Sequence, residues 1–488
     1  MNGRRSFKTD ESFLEKISIG AIGTLKVFDD LLKQGHNPIE LERGSMSFKI
    51  WKGIKIKRVR VPDILCVNCG KRVESRGKTK LEITMSHSVS TPERGWDFGL
   101  NDNDYIALVK CTKTGKNPTD WTAEDPVQYV QVSSMRDAYR RNLVVSEKPK
   151  GATEGFELRV TWPSCTASDG CSITIENFDK IQYRRLDNNR AVTLKLTKRG
   201  VKLEPQVKLG EKAQKNQIIA SSVPILLGFD CRKTTSSNYF IDLLTSPSLS
   251  DRYMASKALT RLPSESATEA LVQTVRNEKE HIYVRLEAAS TLVKTGHLEY
   301  LSFFKGLLND PYLENRLECV IVLGEIDATE SCDLLVNVLL NQSQHPEIRA
   351  GAAWSLGELK NKKAMDALVK VFDETQVDVR EEAARALMRF GNDYSKEIIG
   401  FINTSSEDQR AGIAWALSKS GNFTVRDLIG AMADDNARRW VSWIVGTQDE
   451  AKYINQIEEL KRKDGEVYFT VTVLWKILSS WIADLEVY

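Results

Sequence analysis

The feature that most constrains this chain is an arginine that returns every thirty residues or so through its second half. RYMASKAL begins at Arg252, RLEAASTL at Arg285, RLECVIVL at Arg316, RAGAAWSL at Arg349, REEAARAL at Arg380, RAGIAWAL at Arg410 and RWVSWIVG at Arg439. The intervals are 33, 31, 33, 31, 30 and 29 residues. A fixed period of this length means stacked supersecondary units, each burying its apolar face on its neighbours, rather than one globular core. Each unit carries a second helical stretch, such as SCDLLVNVLL over 331–340 or AMDALVKVF over 364–372. Two helices per unit, with Ala and Gly where helices cross closely, predict an all-α solenoid over 245–488.

These units resemble the short HEAT repeats of the phycobilisome-lyase type, over about 200 residues. The resemblance implies a fold and is nearly silent on function. The recurring arginine can be read as a phosphate-binding ladder or as a structural group. The structural reading carries more weight, each Arg pairing with an acid of the preceding unit. Trp354, Trp415, Trp440 and Trp443 are expected in the packing. The segment from Val467 to Tyr488 is expected to cap the stack and shield its end.

Charge divides the chain in the same place. Residues 251–488 hold 28 Lys+Arg and 37 Asp+Glu, a net of −9, while residues 1–250 hold 41 and 29, a net of +12. Between 49 and 80 there are eleven basic residues against two acids, Asp63 and Glu74. A basic first half suits a polyanion, most simply DNA, with Lys55, Lys57, Arg58, Arg60, Arg72 and Lys80 as expected contacts. A repeat array of opposite sign suits a protein partner or a second copy. No apolar run reaches the length of a membrane span, and basic residues at the N-terminus precede no apolar core, so no membrane partner is expected. Eight scattered cysteines do not make a disulfide scaffold, which points to a reducing cytoplasm.

The first half reads as α+β. Residues 11–34 have helical periodicity and stop at Gly35. NPIELER, SFKIWKGIKIKRVRV, PDILC, KRVESR and DYIALVKC read as strands, and 132–143 as a helix. Residues 1–150 thus form one module. Residues 151–240 form a β-rich segment with strands at FELRVTW, CSITI, AVTLKLTK and QIIASSVPI.

Two chemical signals overlap between Pro62 and Arg76. Cys66-x-x-Cys69-Gly70 has zinc-knuckle spacing: two thiolates on a tight turn occupy two corners of a tetrahedron. Cys165 and Cys171 are the expected second pair, with Cys111 in reserve. A redox role fits less well, because the motif joins two strands rather than opening a helix. Asp63 and Glu74 would meet at one sheet edge and share a Mg²⁺ ion, with a nearby cation at Arg76 or Lys78. An auxiliary acid could come from Glu15, Glu40 or Glu42. Gly77-Lys78-Thr79 lacks the leading glycine of a phosphate loop, and His87 reads as a hydrogen-bonded histidine rather than a base.

At these residues the chain resembles the PD-(D/E)XK restriction-type nucleases. It is similar to the DpnI-type branch, in which a Cys-x-x-Cys knuckle separates the aspartate from Glu-x-Lys. The resemblance implies a restriction-endonuclease-like fold, catalytic Asp63, Glu74, Arg76 and Lys78, a structural zinc and a catalytic Mg²⁺. It implies a DNA endonuclease, of a kind that serves antiviral defence. The family's lysine is Arg76 here, and Arg does not replace Lys freely at such a site. The alternative is a non-catalytic, zinc-containing nucleic-acid-binding adaptor or scaffold that recruits a partner enzyme.

Overall fold

Helix α1 (Asp10–Lys33) ends where Gly35 adopts φ +82°, the left-handed stop that its position in the sequence predicts. The computed structural model describes residues 10–42, 54, 59–116, 118–148, 157–177 and 179–485. The chain divides into two units, residues 1–50 with 58–270 and residues 51–57 with 271–488.

In the first unit α1 packs on a mixed sheet of five strands. These are β1 (Pro38–Glu40), β2 (Ile64–Cys66), β3 (Arg72–Lys78), then, after β4 (Ile83–His87) of a separate sheet, β5 (Tyr105–Lys113) and β6 (Trp121–Gln131), in the order β1-β2-β3-β5-β6. Strands β3 and β5 run parallel and the other neighbours antiparallel. The near-continuous apolar run of β5 follows from cover on both faces. Tyr105, Ala107, Val109 and Cys111 face α1 in one core with Val27 and Leu31. Ile106 and Leu108 face the other way, in a second core with Ile83, Trp96, Met135 and Trp162. Met135 belongs to α2 (Val132–Arg140), and Trp162 to β8 (Leu158–Trp162), which pairs with β4 and with β7 (Val145–Glu147). Most of SFKIWKGIKIKRVRV lies outside the described residues, and the sequence pattern missed β4 and β6.

The β-rich segment has its own small core around Ile173, Tyr183, Leu203 and Ile219. It contains β9 (Ser164–Thr166), β10 (Cys171–Glu176), β11 (Lys180–Arg185) and β12 (Ala191–Lys195), with Ile218–Ser221 pairing to β9. Helices α3 (Ser237–Leu243) and α4 (Leu249–Ala258) also pack in the first unit, which runs to Ala270. Arg72, buried on β3, ties α4 to the sheet, reaching Asp104 at 2.8 Å and Asp251 of α4 at 3.0 Å.

The second unit stacks helices in pairs. The inner helices are those bearing the recurrent arginine, among them Ile282–Lys294, Leu313–Leu323, Pro346–Leu359 and Glu407–Ser420. Gly357 marks a close crossing, since a Cβ there would lie 2.8 Å from the Ala386 Cα. The arginines are structural, but their partners differ from the expectation. Arg285, Arg349 and Arg410 donate Nε–H to the carbonyls of Val275, Leu339 and Ile402, each at or near the end of the preceding helix, at 2.8–2.9 Å. Their tips point forward rather than back: Arg349 pairs with Glu374, and Arg410 with Asp434 at 2.7 Å. Orphan carbonyls at a helix end explain the placement, because a buried cation there meets both the carbonyl and the negative end of the helix dipole. In the last repeat Arg438, not Arg439, turns inward, to Asp464 at 2.7 Å. The four tryptophans are only half-buried. The final helix, Gly465–Leu485, buries Val467, Val471 and Trp475 but leaves Phe469, Val473 and Ile477 exposed, so it shields the end on one side only.

Candidate functional site

Strand β3 presents its chemistry at every second residue. Val73, Ser75 and Gly77 are in register with Tyr105, Ala107 and Val109, the residues of β5 that face α1. Glu74 and Arg76 are in register with Ile106 and Leu108, so Glu74, Arg76 and Lys78 share the opposite face. Strand β2 pairs with β3 only at Arg72 and Val73. Beyond that the Ser75 N–H is given to the Asp63 carboxylate, at 2.7 Å, which holds Asp63 beside Glu74.

Glu74, Arg76 and Lys78 line a cleft of about 430 Å³ together with Glu42, Arg60, Thr84, Ser86 and Arg94. Burial pushes the Asp63 carboxyl well above its ordinary range, and the charges of Glu74 and Glu42 push it further. Glu74 is raised by burial and by Glu42, opposed by Arg76 and Arg60. Arg76 forms an ion pair with Glu74 at 2.9 Å. Lys78 donates to the Thr84 carbonyl at 3.1 Å, and burial, then Arg76 and Arg159, lower it to about 8. Mutually repelling carboxylates, Asp63 buried and Glu74 partly so, offer hard oxygen donors that suit a divalent cation of the Mg²⁺ class. Of the three auxiliary acids expected, Glu42 lines the cleft, Glu40 lies in β1, and Glu15 is engaged by Lys113 at 2.9 Å.

The cysteine expectation is half corrected. Cys66 and Cys69 do stand together, but Cys165 and Cys171 are not with them. Those two lie in β9 and β10, Cys171 within the small core of the β-rich segment and Cys165 packed against it. Cys111 is likewise core, facing α1. The partners of Cys66 and Cys69 are His36 and Cys231, and the four ligand atoms all lie within 4.8 Å of one another. Cys66 Sγ is 3.7 Å from Cys231 Sγ, and Cys69 Sγ is 3.7 Å from His36 Nδ1. His36 Nε2 lies 3.0 Å from the Phe229 carbonyl, which fixes the ring with Nδ1 toward the sulfurs. The Phe229 ring stacks on Tyr105 at 4.1 Å and so anchors the segment that carries Cys231. Gly70, at φ +69°, closes the knuckle, and a Cβ there would sit 3.0 Å from Thr235. The hydrogen bond from Cys69, with help from His36 and the Asn37 N–H, draws Cys66 down to about 3, while Cys69 is pushed up by the neighbouring thiolate and by burial. Three sulfurs and one imidazole are a closed, soft set, which fits zinc and leaves no position for a substrate. The only signal for His36 was its place next to the helix stop, and Cys231 had none.

Of the expected DNA contacts, Arg60 lines the carboxylate cleft. Lys80 is exposed and pairs with Glu82 at 3.1 Å. Arg72 is not a contact: its side chain is 2% exposed and is consumed by Asp104 and Asp251. Lys55, Lys57 and Arg58 lie outside the described residues. Asp102 and Asp104 organise the turn before β5, Asp104 accepting from the Asn101 N–H at 2.6 Å and Asp102 from Arg136.

Residues 237–314 and 300–388 match the family of HEAT repeats, which makes the C-terminal half an all-helical repeat region. No curated protein matches the sequence. Among solved structures, the CpcE–CpcF complex of phycocyanin lyase from Nostoc is similar at 16% identity, covering 50% of this chain and 95% of that chain, with a TM-score of 0.26. A computationally designed armadillo repeat protein is similar at 16% identity, covering 43% and 98%, with a TM-score of 0.23. The karyopherin Kap121p is similar at 14% identity, covering 49% and 33%, with a TM-score of 0.28. Among the described residues no helix is long and apolar enough to cross a membrane.

Proposed function

We propose that the first unit is a Mg²⁺-dependent DNA endonuclease of the PD-(D/E)XK restriction type, and that the HEAT solenoid docks a protein. The observation that carries this is a buried Asp63, just before β2, bound to the Ser75 N–H beside Glu74, which lines a cleft with Arg60, Arg76, Lys78 and Arg94. Asp63 and Glu74 hold the divalent cation, and Glu42 assists. A cation held there would supply Lewis-acid chemistry, polarising a phosphate and lowering the pKa of a water. Arg76 is already engaged with Glu74, so Lys78 supplies the free positive charge beside the scissile phosphate. The knuckle holds a structural zinc through His36, Cys66, Cys69 and Cys231, and so fixes the turn between β2 and β3. Its net −9 sets the solenoid against nucleic acid and in favour of a protein or a second copy.

The test is cleavage of methylated and unmethylated duplex DNA with and without Mg²⁺. Wild type should cut, and Asp63→Asn and Glu74→Gln should bind DNA without cutting. The Arg76–Glu74 ion pair favours the adaptor as a second reading, and it replaces the first if wild type binds DNA but cuts no substrate.

A further inference from the structure

The carboxylate cleft does not end at Lys78. Lys78 and Thr84 also line a second recess of about 460 Å³, whose remaining walls are Lys16, Ile19, Gly77, Thr79, Lys80, Glu82 and Arg159. Four cations converge there against one carboxylate, and that carboxylate is already paired with Lys80. The cations come from three separate places: α1, the end of β3 and β8.

A close approach of backbones assembles them. Gly23 of α1 meets Gly77 of β3, where a Cβ on Gly23 would lie 2.9 Å from the Gly77 Cα. A Cβ on Gly77 would collide with the Ile19 carbonyl oxygen. Without side chains at either place, α1 lies directly on β3, and Lys16, one turn before Gly20, comes to the same recess as Lys78. On the other side β4 pairs with β8 in a register that sets Ser86 opposite Arg159. Cations gathered this closely repel one another, and an anion that enters relieves the repulsion. Burial, then Arg76 and Arg159, lowers Lys78, with Glu82 opposing.

We propose that this recess binds the phosphodiester backbone of the DNA strand as it leaves the carboxylate cleft, with Lys16, Lys78, Lys80 and Arg159 as its phosphate contacts. The proposal rests on the nuclease reading for the identity of the polyanion, but its own test reads binding alone. Lys16 and Arg159 are exposed, so changing them should spare the fold.

The experiment measures the affinity of the full chain for a fluorescent 20-base-pair duplex across a salt series, with Ca²⁺ in place of Mg²⁺. Lys16→Ala combined with Arg159→Ala should lower the slope of log K on log salt by about two and weaken binding roughly tenfold per cation near 0.1 M salt. Lys16→Arg with Arg159→Lys should restore the slope. An unchanged slope in the alanine pair overturns the proposal. So does a recess that takes pyrophosphate, by displacement of a labelled probe, while the DNA slope stays at its wild-type value. Cleavage in Mg²⁺ is scored separately: a wild type that cuts nothing removes the nuclease reading, and the slope still decides the recess.

Discussion

The arginines of the solenoid and the cations of the first unit carry the same charge in opposite circumstances. Arg349 is 2% exposed, with its Nε–H on the Leu339 carbonyl and its tip on Glu374. Arg410 repeats the arrangement with Ile402 and Asp434. Each is buried beside a carbonyl and an acid. Around Lys78, by contrast, Arg76 and Arg159 add positive charge and burial removes water. Basic residues that recur with the period stabilise the stack. Basic residues gathered once, from distant segments, repel one another instead. Counting Lys and Arg along the sequence does not distinguish these cases, because both contribute equally to net charge.

The comparison makes predictions that differ in size. The largest concerns the two modes of stabilisation. The second unit distributes its stability over repeated packing, while the first closes contacts between residues 36, 66, 69 and 231. Chelation, or His36→Ala or Cys231→Ser, should release about one zinc per chain. It should also lower the melting of the first unit by roughly 10 °C or more, leaving the helical unit's transition in place. Metal analysis with circular dichroism melting checks this. Cys165→Ala and Cys171→Ala should retain the metal. Loss of metal from either, or its retention in Cys231→Ser, would return the ligand set to the expectation from spacing.

Next in size is Arg349→Ala, which strips partners from a buried carbonyl and from Glu374. It should cost about 3 kcal/mol in denaturant unfolding. Arg385→Ala, at an exposed ion pair with Glu381, should cost about 0.5 kcal/mol or less. Equal costs would mean that buried and exposed arginines stabilise the stack alike. A smaller loss, about 1–3 kcal/mol, is expected for Gly77→Ala, since a methyl there forces α1 off β3. The same substitution should weaken duplex binding, by moving Lys16.

The last effect has the opposite sign. With no divalent cation present, Asp63→Asn removes one of several repelling buried charges, and the amide oxygen still accepts from Ser75. It should stabilise the protein by about 1 kcal/mol at pH 8. The sign follows from the raised carboxyl: it takes up a proton in the folded state before it does so unfolded, so ionised Asp63 opposes folding as pH rises. Mg²⁺ should raise the melting temperature of the wild type and not of the variant, as thermal scans would show.

Much of this was legible in the sequence because it is local. The solenoid follows from a period near thirty, since each unit repeats the same short-range packing problem. The stop at Gly35, the alternation on β3 and the knuckle turn at Cys66–Gly70 are each decided within a few residues by backbone preference and side-chain parity. The order Asp63, Cys66, Cys69, Glu74 likewise stood in one stretch. What only the tertiary structure decided were the partners brought from afar. Cys231 lies 162 residues beyond Cys69, and no periodicity marks it; Cys165 and Cys171 had the more suggestive spacing but went into an apolar core. Arg72 stood among eleven basic residues and became a buried strut, because Asp104 and Asp251 closed on it. A side chain's neighbours within a turn or a strand are set by chain geometry, but its neighbours across the fold are set by which surfaces bury together.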